Sequence, residues 1–294
     1  MRIKSYKDFL KEVFPEYERV RKVSLNAGFS CPNLDGTVGT GGCAYCNNKS
    51  FSPVAATELA VMEQLEKGIK DVRSGGVLAY FQSYTNTHAS VQKLRKIFMP
   101  VILHSKVAGI TIGTRPDCLN TDVVELLAEL NNIKPVIVEI GVQSANDKTL
   151  ENINRNHTAE CTRTAALLCK NSKLLITAHI IIGLPRENIN DFANTAKLVR
   201  DCEFSAVKIH PLHIVKGTRF AEEYSQGKIE LLSMDDYCRA VAEVIRIVQP
   251  AVAIERVSAE SPADMLVAPA WCGQREKIWE GISAQLLVDG LYVQ

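Results

Sequence analysis

Three of the nine cysteines, Cys31, Cys43 and Cys46, crowd into one glycine-rich stretch, CPNLDGTVGTGGCAYC. Soft thiolates select soft metals, and three of them can ligate three irons of an iron–sulfur cubane while the fourth iron stays open to a reactant. Gly36, Gly39, Gly41 and Gly42 let the backbone close around such a cluster, and Tyr45, between the last two cysteines, can cover it from water. A structural zinc site would want a fourth thiolate or imidazole, usually from a second pair, and the chain has no second pair. A thioredoxin-like C-x-x-C would open a helix in a much smaller fold and would leave Cys31 unexplained. Cys118, Cys161, Cys169, Cys202, Cys238 and Cys272 are scattered, several among apolar neighbours, and read as small packing groups.

Those cysteines follow a first predicted strand near Lys22 to Asn26, and the chain then alternates between two periodicities. Leu59, Met62, Leu65, Ile69 and Val72 recur at helical spacing before the strand-like run 77–81. A helix near 90–99 precedes a strand at 107–112, and Thr121 reads as the N-cap of a helix reaching Leu130 before a strand at 136–142. Thr158 caps a further helix, followed by a strand at 174–182, a helix near 189–201, a strand at 206–210 and a helix after Ser233. About six strand–helix units imply a parallel sheet with helices outside, and the chain length suits a partial, open barrel better than a full eight-unit one. The expected division is a barrel over residues 1–250 and a C-terminal extension over 251–294 that packs on it.

In a parallel barrel, side chains of the strand ends and following loops share one mouth. The expected ends are polar: Gln82 to Thr87, Thr114-Arg115-Pro116-Asp117, Gln143-Ser144, Gly183-Leu184-Pro185 and His210 to His213. Along 136–143, Val136, Val138, Ile140 and Val142 form an apolar face, and Ile137, Glu139, Gly141 and Gln143 form the other. A carboxylate and an amide with a glycine between them suggest a pocket that hydrogen-bonds a polar ligand. Thr177, His179 and Ile181 share one face of the next strand, as do Lys208 and His210 on the last. The structural alternative pairs Glu139 with Lys208 or Arg115.

Lys+Arg of 34 against Asp+Glu of 33 leaves a net charge of +1, so no global field draws the chain toward phosphate or lipid. Arg19, Arg21 and Lys22 offer only a modest basic patch. The apolar stretches fall short of a membrane span and no signal-peptide segment is evident, so the expected location is cytoplasmic.

In the cysteine loop, TIGTRPD at 111–117, EIGVQS at 139–144 and HIIIGLP at 179–185, the chain resembles the radical S-adenosylmethionine (SAM) superfamily, and within it the YhcC/YtqA-like branch related to the tRNA-modifying catalytic subunit of Elongator. The common superfamily motif is C-x3-C-x2-C with an aromatic before the last cysteine; here the pattern is C-x11-C-x2-C, and Tyr45 keeps the aromatic. The resemblance implies a partial (β/α)6 TIM-like barrel of the radical SAM type, a [4Fe-4S] cluster on Cys31, Cys43 and Cys46, and SAM chelated at the open iron. It implies SAM contacts from Gln143 and Arg155, twelve residues apart, and from Glu139 on the ribose hydroxyls or the methionine amino group. Arg115 would meet the SAM carboxylate or hold Asp117. His179 stands where some relatives carry an aspartate, and Tyr45 borders the cluster. The implied partners are SAM, a tRNA substrate modified at a wobble uridine, and an external one-electron donor of the flavodoxin or ferredoxin type. A small metabolite or peptide is the alternative substrate, and a non-catalytic iron–sulfur scaffold is the alternative from another class.

Overall fold

The computed structural model describes residues 2–50, 52, 54–72, 75–288 and 290–292. Strands β1 (Val20–Leu25), β2 (Gly76–Phe81), β3 (Val107–Thr114), β4 (Val136–Gln143), β5 (Leu175–Ile182) and β6 (Ala206–Pro211) pair in sequence order, all parallel. β7 (Ile214–Val215) leaves the sheet, β8 (Ala253–Arg256) returns to it parallel to β6, and β9 (Leu266–Ala268) pairs antiparallel with β7. The seven-stranded parallel sheet curls into a half-barrel with β1 and β8 at its edges, as the sequence implied, but with one strand beyond the six expected. That seventh strand comes from the segment expected to be an extension, so the sheet runs past residue 250. Four residues, Ala-Ile-Glu-Arg, are too few for a periodicity to declare itself.

The helices are α1 (Tyr6–Val13), α2 (Val61–Lys70), α3 (Val91–Leu103), α4 (Thr121–Asn131), α5 (Asp147–Asn152), α6 (Ala159–Asn171), α7 (Ile189–Asp201), α8 (Arg219–Ser225), α9 (Met234–Val248) and α10 (Arg275–Leu287); periodicity placed α2, α3, α4, α6, α7 and α9, and the other four were not read from it. Thr158 and Ser233 cap α6 and α9 by accepting from the backbone of Cys161 and Asp236. The cap of α4 is Asn120, not Thr121; its side-chain oxygen accepts from Val123 N, leaving Thr121 as the first helical residue. Val136, Val138, Ile140 and Val142 face outward into the main core with Leu126, Leu127, Leu130 and the helices around them. The division between faces on β4 is thus the one its alternation dictates.

The concave face is built in tiers. At the bottom, Leu78, Ala108, Ile137, Ala206 and Ala253 pack against Phe9 and Phe14, so α1 and the residue after it plug the barrel's lower end. The N-terminal segment is held there by Ile254 N donating to Lys4 O at 2.9 Å. Above this apolar floor the inward residues turn polar: Tyr80, Glu139, Lys208 and Glu255. The edges β1 and β8 are not joined by a backbone ladder among the described residues; Lys22 Nζ to Glu255 Oε1 at 2.5 Å spans them. No helix among the described residues is long and apolar enough to cross a membrane.

Candidate active site

The C-terminal ends of the strands surround a cavity of about 1010 Å³, counted to its open mouth. Tyr45 and Cys46 contribute one wall, Glu139, Gly141 and Gln143 from β4 a second, and His179, Ile181, Lys208 and His210 from β5 and β6 a third. Arg115 and Arg155 also border it, so Tyr45, Cys46, Arg115, Glu139, Gln143, Arg155 and His179 share one space, whereas Cys31 and Cys43 are not part of its lining.

The cysteine loop is fastened to the residues that follow α5. Asn33 is fully buried; its amide donates to Asn154 O at 2.5 Å and lies 3.6 Å from Cys43 Sγ, while its oxygen accepts from Asn156 Nδ2 at 2.5 Å. Asn154 Nδ2 donates to Gly42 O at 2.7 Å, and Ala44 N donates to Ile153 O at 2.9 Å. A Cβ at Gly39 would stand 2.4 Å from Asn156 Nδ2 and 2.6 Å from Asn33 Oδ1, so a side chain there would push this amide pair apart. Sequence reasoning missed this asparagine trio; the run Asn154-Arg155-Asn156-His157 was its only visible signal.

Arg155 joins the loop to the sheet. Its Nη2 donates to Gly141 O at 2.8 Å, its Nη1 approaches Cys43 Sγ at 3.5 Å, and its Nε donates to His157 Nε2 at 3.0 Å. A side chain at Gly141 would meet that guanidinium at 2.5 Å, so the gap read as ligand space between Glu139 and Gln143 is where Arg155 enters. Burial alone would lower Arg155, but Tyr45 and Cys43 outweigh it and hold the guanidinium charged. Burial, followed by the charge of Arg155, pushes His157 down to about 3, which keeps its ring an acceptor.

Gln143, at the end of β4, sits at φ 66°, a left-handed conformation rare for a side-chain-bearing residue, and its Oε1 is buried without a partner. Arg115 forks onto Asp117, Nε to Oδ1 at 2.9 Å and Nη2 to Oδ2 at 2.7 Å, with Nη1 buried and unpartnered. Of the two partners left open for Arg115, the structure supplies the aspartate. Tyr45 lies partly buried against a small second core that includes Ala44, Leu150, Ile153 and Phe220.

Glu139 is engaged at both oxygens. Lys208 Nζ donates to Oε1 and Oε2 at 2.8 Å each, and Tyr80 Oη donates to Oε1 at 2.7 Å. The pairing with Lys208 that the sequence left open is therefore present, and Glu255 stands 3.6 Å from the same ammonium. Burial would raise Glu139, yet Lys208 and then Lys22 carry it down to about 2, so it is a carboxylate. His179 and His210 stack with ring centroids 4.2 Å apart. Burial, aided by Lys208 and Arg256, holds His179 well below the ordinary imidazole value, and burial with Arg256 does the same for His210.

The donor set at the loop fits an iron–sulfur cluster. Burial, then Cys43 and Cys31, pushes the Cys46 thiol up to about 12, which places the three sulfurs within one another's field. The N–H groups of Arg155 and Asn33 face the buried Cys43 Sγ as donors to a cluster sulfur do. Among the described residues no three His, Cys, Asp or Glu are gathered tightly enough for a single metal ion.

Comparison with known proteins gives the family. The profile of the Radical SAM superfamily matches residues 36–199, and that of the Radical_SAM C-terminal domain matches residues 204–287. The chain belongs to the radical SAM superfamily and is an enzyme with a [4Fe-4S] cluster and SAM as its cofactors, which removes the scaffold alternative. It is 39% identical to protein YhcC of Escherichia coli (strain K12) over 267 residues, covering 90% of this chain and 85% of that one. It is 37% identical to protein YtqA of Bacillus subtilis (strain 168) over 279 residues, or 93% and 87% of the two chains. The solved structure of the archaeal Methanocaldococcus infernus Elp3 with an N-terminal deletion shares the fold at a TM-score of 0.68 and 18% identity, covering 93% of this chain and 64% of that one.

The buried pair predicts a non-additive cycle. Lys208→Met and Glu139→Gln should each destabilise by about 3–5 kcal/mol in denaturant unfolding, because each strands a buried polar partner, whereas the double substitution should recover a large part of the loss. Additive losses would show that the two groups do not act on one another. The histidines predict a pH dependence of stability. Their folded values are depressed, so below about 6.5 the unfolded chain takes up protons that the folded chain refuses. Their contribution is complete above that pH and is lost as pH falls, so the unfolding midpoint should drop between pH 7 and pH 5, and less in His179→Gln/His210→Gln.

Proposed function

We propose that this radical SAM enzyme works in the cytoplasm on tRNA, modifying the side chain of a wobble uridine, with a flavodoxin- or ferredoxin-type protein as its electron donor. The reading is supported by the fold shared with Elp3 and by the motifs that resemble the tRNA-modifying Elongator catalytic subunit. The single observation that carries the site is the common wall: Cys46 and Tyr45 border the same cavity as Gln143 and the inward residues of β5 and β6. The cluster, when bound, supplies the electron that cleaves SAM to methionine and a 5'-deoxyadenosyl radical. In this assignment Cys31, Cys43 and Cys46 are its ligands, and Arg155 and Asn33 donate to the Cys43 sulfur. Gln143 offers its unpartnered amide oxygen to SAM, and Arg115 its free Nη1. Glu139, with both oxygens taken, orients Lys208 and Tyr80 in the cavity floor rather than holding a ribose. His179 and Tyr45 both line the cavity and exclude water from it. A small metabolite or peptide is the second reading, favoured by the net charge of +1.

Anaerobically reconstituted protein given SAM and dithionite should release 5'-deoxyadenosine. Cys43→Ala should lose the cluster's iron with an unchanged circular dichroism spectrum; full iron retention would refute the ligand assignment. In filter binding across a salt series, total tRNA should be retained with an affinity that falls steeply as salt rises, because phosphate contacts release counterions. No retention at low salt would reject tRNA and leave the small-molecule reading.

A further inference from the structure

Arg256 is a cation at the cavity to which the protein gives no anion. Of the other three that border it, Arg115 forks onto Asp117 and Lys208 lies between Glu139 and Glu255, while Arg155 directs its donors to Gly141 O, His157 and the Cys43 sulfur. Among the described residues Arg256 makes no ion pair; its hydrogen-bond partner is the neutral ring of His210, reached from Nη2 at 2.5 Å, and its Nε has none. Its position is the product of a local irregularity. Val207 pairs with Ile254 but Lys208 pairs with Arg256, so Glu255 is an extra residue in β8. Without that bulge, alternation would send Arg256 outward beside Ile254; with it, Glu255 reaches Lys22 and Lys208 and Arg256 also turns to the cavity. A partly buried guanidinium held by an imidazole, with no carboxylate to neutralise it, costs free energy unless a ligand supplies the charge.

We infer that Arg256, positioned by His210 and the β8 bulge, is the anchor for an oxyanion of the substrate, a phosphate or a carboxylate, on the β6–β8 side of the cavity. The inference rests on the assignment of this cavity as the place where SAM and substrate meet. A guanidinium binds either oxyanion in a planar fork, so the two sources share one chemistry and differ in shape and charge.

The test is calorimetric titration of cluster-loaded protein saturated with SAM, using inorganic phosphate and, separately, acetate at constant ionic strength. Wild-type protein should bind at least one of them, and Arg256→Gln should weaken that binding by about tenfold or more, the scale of a lost charged hydrogen bond. Arg256→Lys, which keeps the charge without the fork, should fall between the two, and Arg275→Gln, at an exposed pair with Glu260, should match wild type. Preference for phosphate points to a nucleotide backbone, and preference for acetate to a carboxylated substrate. No anion binding by wild type, or equal binding by Arg256→Gln, overturns the inference. Release of 5'-deoxyadenosine by the same wild-type preparation keeps the two readings apart: with it, failed anion binding rejects only the anchor, and without it the cavity's assignment falls.

Discussion

A half-barrel has two problems that a closed barrel lacks, and one chain of buried charges answers both. Its edge strands β1 and β8 have no ladder to each other, and the middle of its concave face must separate an apolar floor from a wet cavity. Lys22, Glu255, Lys208, Glu139 and Tyr80 run in contact from one edge across the interior to β4 and β2. Every ion in that series touches at least one group of opposite charge, and the Glu139 and Lys208 side chains are each 6% exposed. Removing such charges from water is costly, and well-packed apolar groups of the same volume are often as good for stability. What the series supplies instead is geometry: it fixes β2, β4, β6 and β8 relative to one another directly beneath the ligand space.

The unusual spacing of the cysteines has a physical counterpart. The eleven residues between Cys31 and Cys43 close several backbone turns of their own, among them Gly42 N to Asn33 O at 2.8 Å, and are fastened further by a short segment that follows β4 and α5. Asn154 and Asn156 both sit in the left-handed region, at φ 55° and 56°, which asparagine tolerates better than most residues. Their amides satisfy loop carbonyls and Asn33, and Arg155 between them reaches Gly141 and Cys43. One polar turn therefore sets both the loop's backbone and the surroundings of a cysteine sulfur, and ties each to β4.

Periodicity made the parallel half-barrel legible because each strand of β2 to β6 is six to eight residues long and each intervening helix carries an apolar stripe. The alternation on β4, β5 and β6 likewise told which side chains face the cavity. Its limits were local. β8 was invisible because it is four residues long and bulged, and with it went Glu255 and Arg256. Thr121 was read as a cap because Asn120 and Thr121 are both competent, and only backbone geometry chooses between them. The reach of Arg155 to Cys43 and the hydrogen bond from Arg115 to the backbone of Arg155 depend on contacts across 112 and 40 residues, which spacing along one element cannot encode.

The cysteine loop is held from a second direction, and that bears on how a cluster site can keep its shape. Beyond β6 the chain packs Leu212, Ile214, Phe220 and Ile229 against Ala44, Leu150 and Ile153, forming a small core of its own above the barrel. Phe220 N donates to Ala44 O at 2.9 Å, Asn47 Nδ2 donates to Lys216 O at 2.9 Å, and Arg219 bonds Asn152 O. Loop, α5 and the segment after β6 thus form a triangle in which each side contacts the other two. Ligands on an isolated glycine-rich loop would have to be ordered by the metal at the full entropic cost of fixing the chain. Here apolar contacts and backbone hydrogen bonds from two strand ends carry much of that cost, so the sulfurs are positioned by the fold and the free energy of cluster binding need not also build the loop.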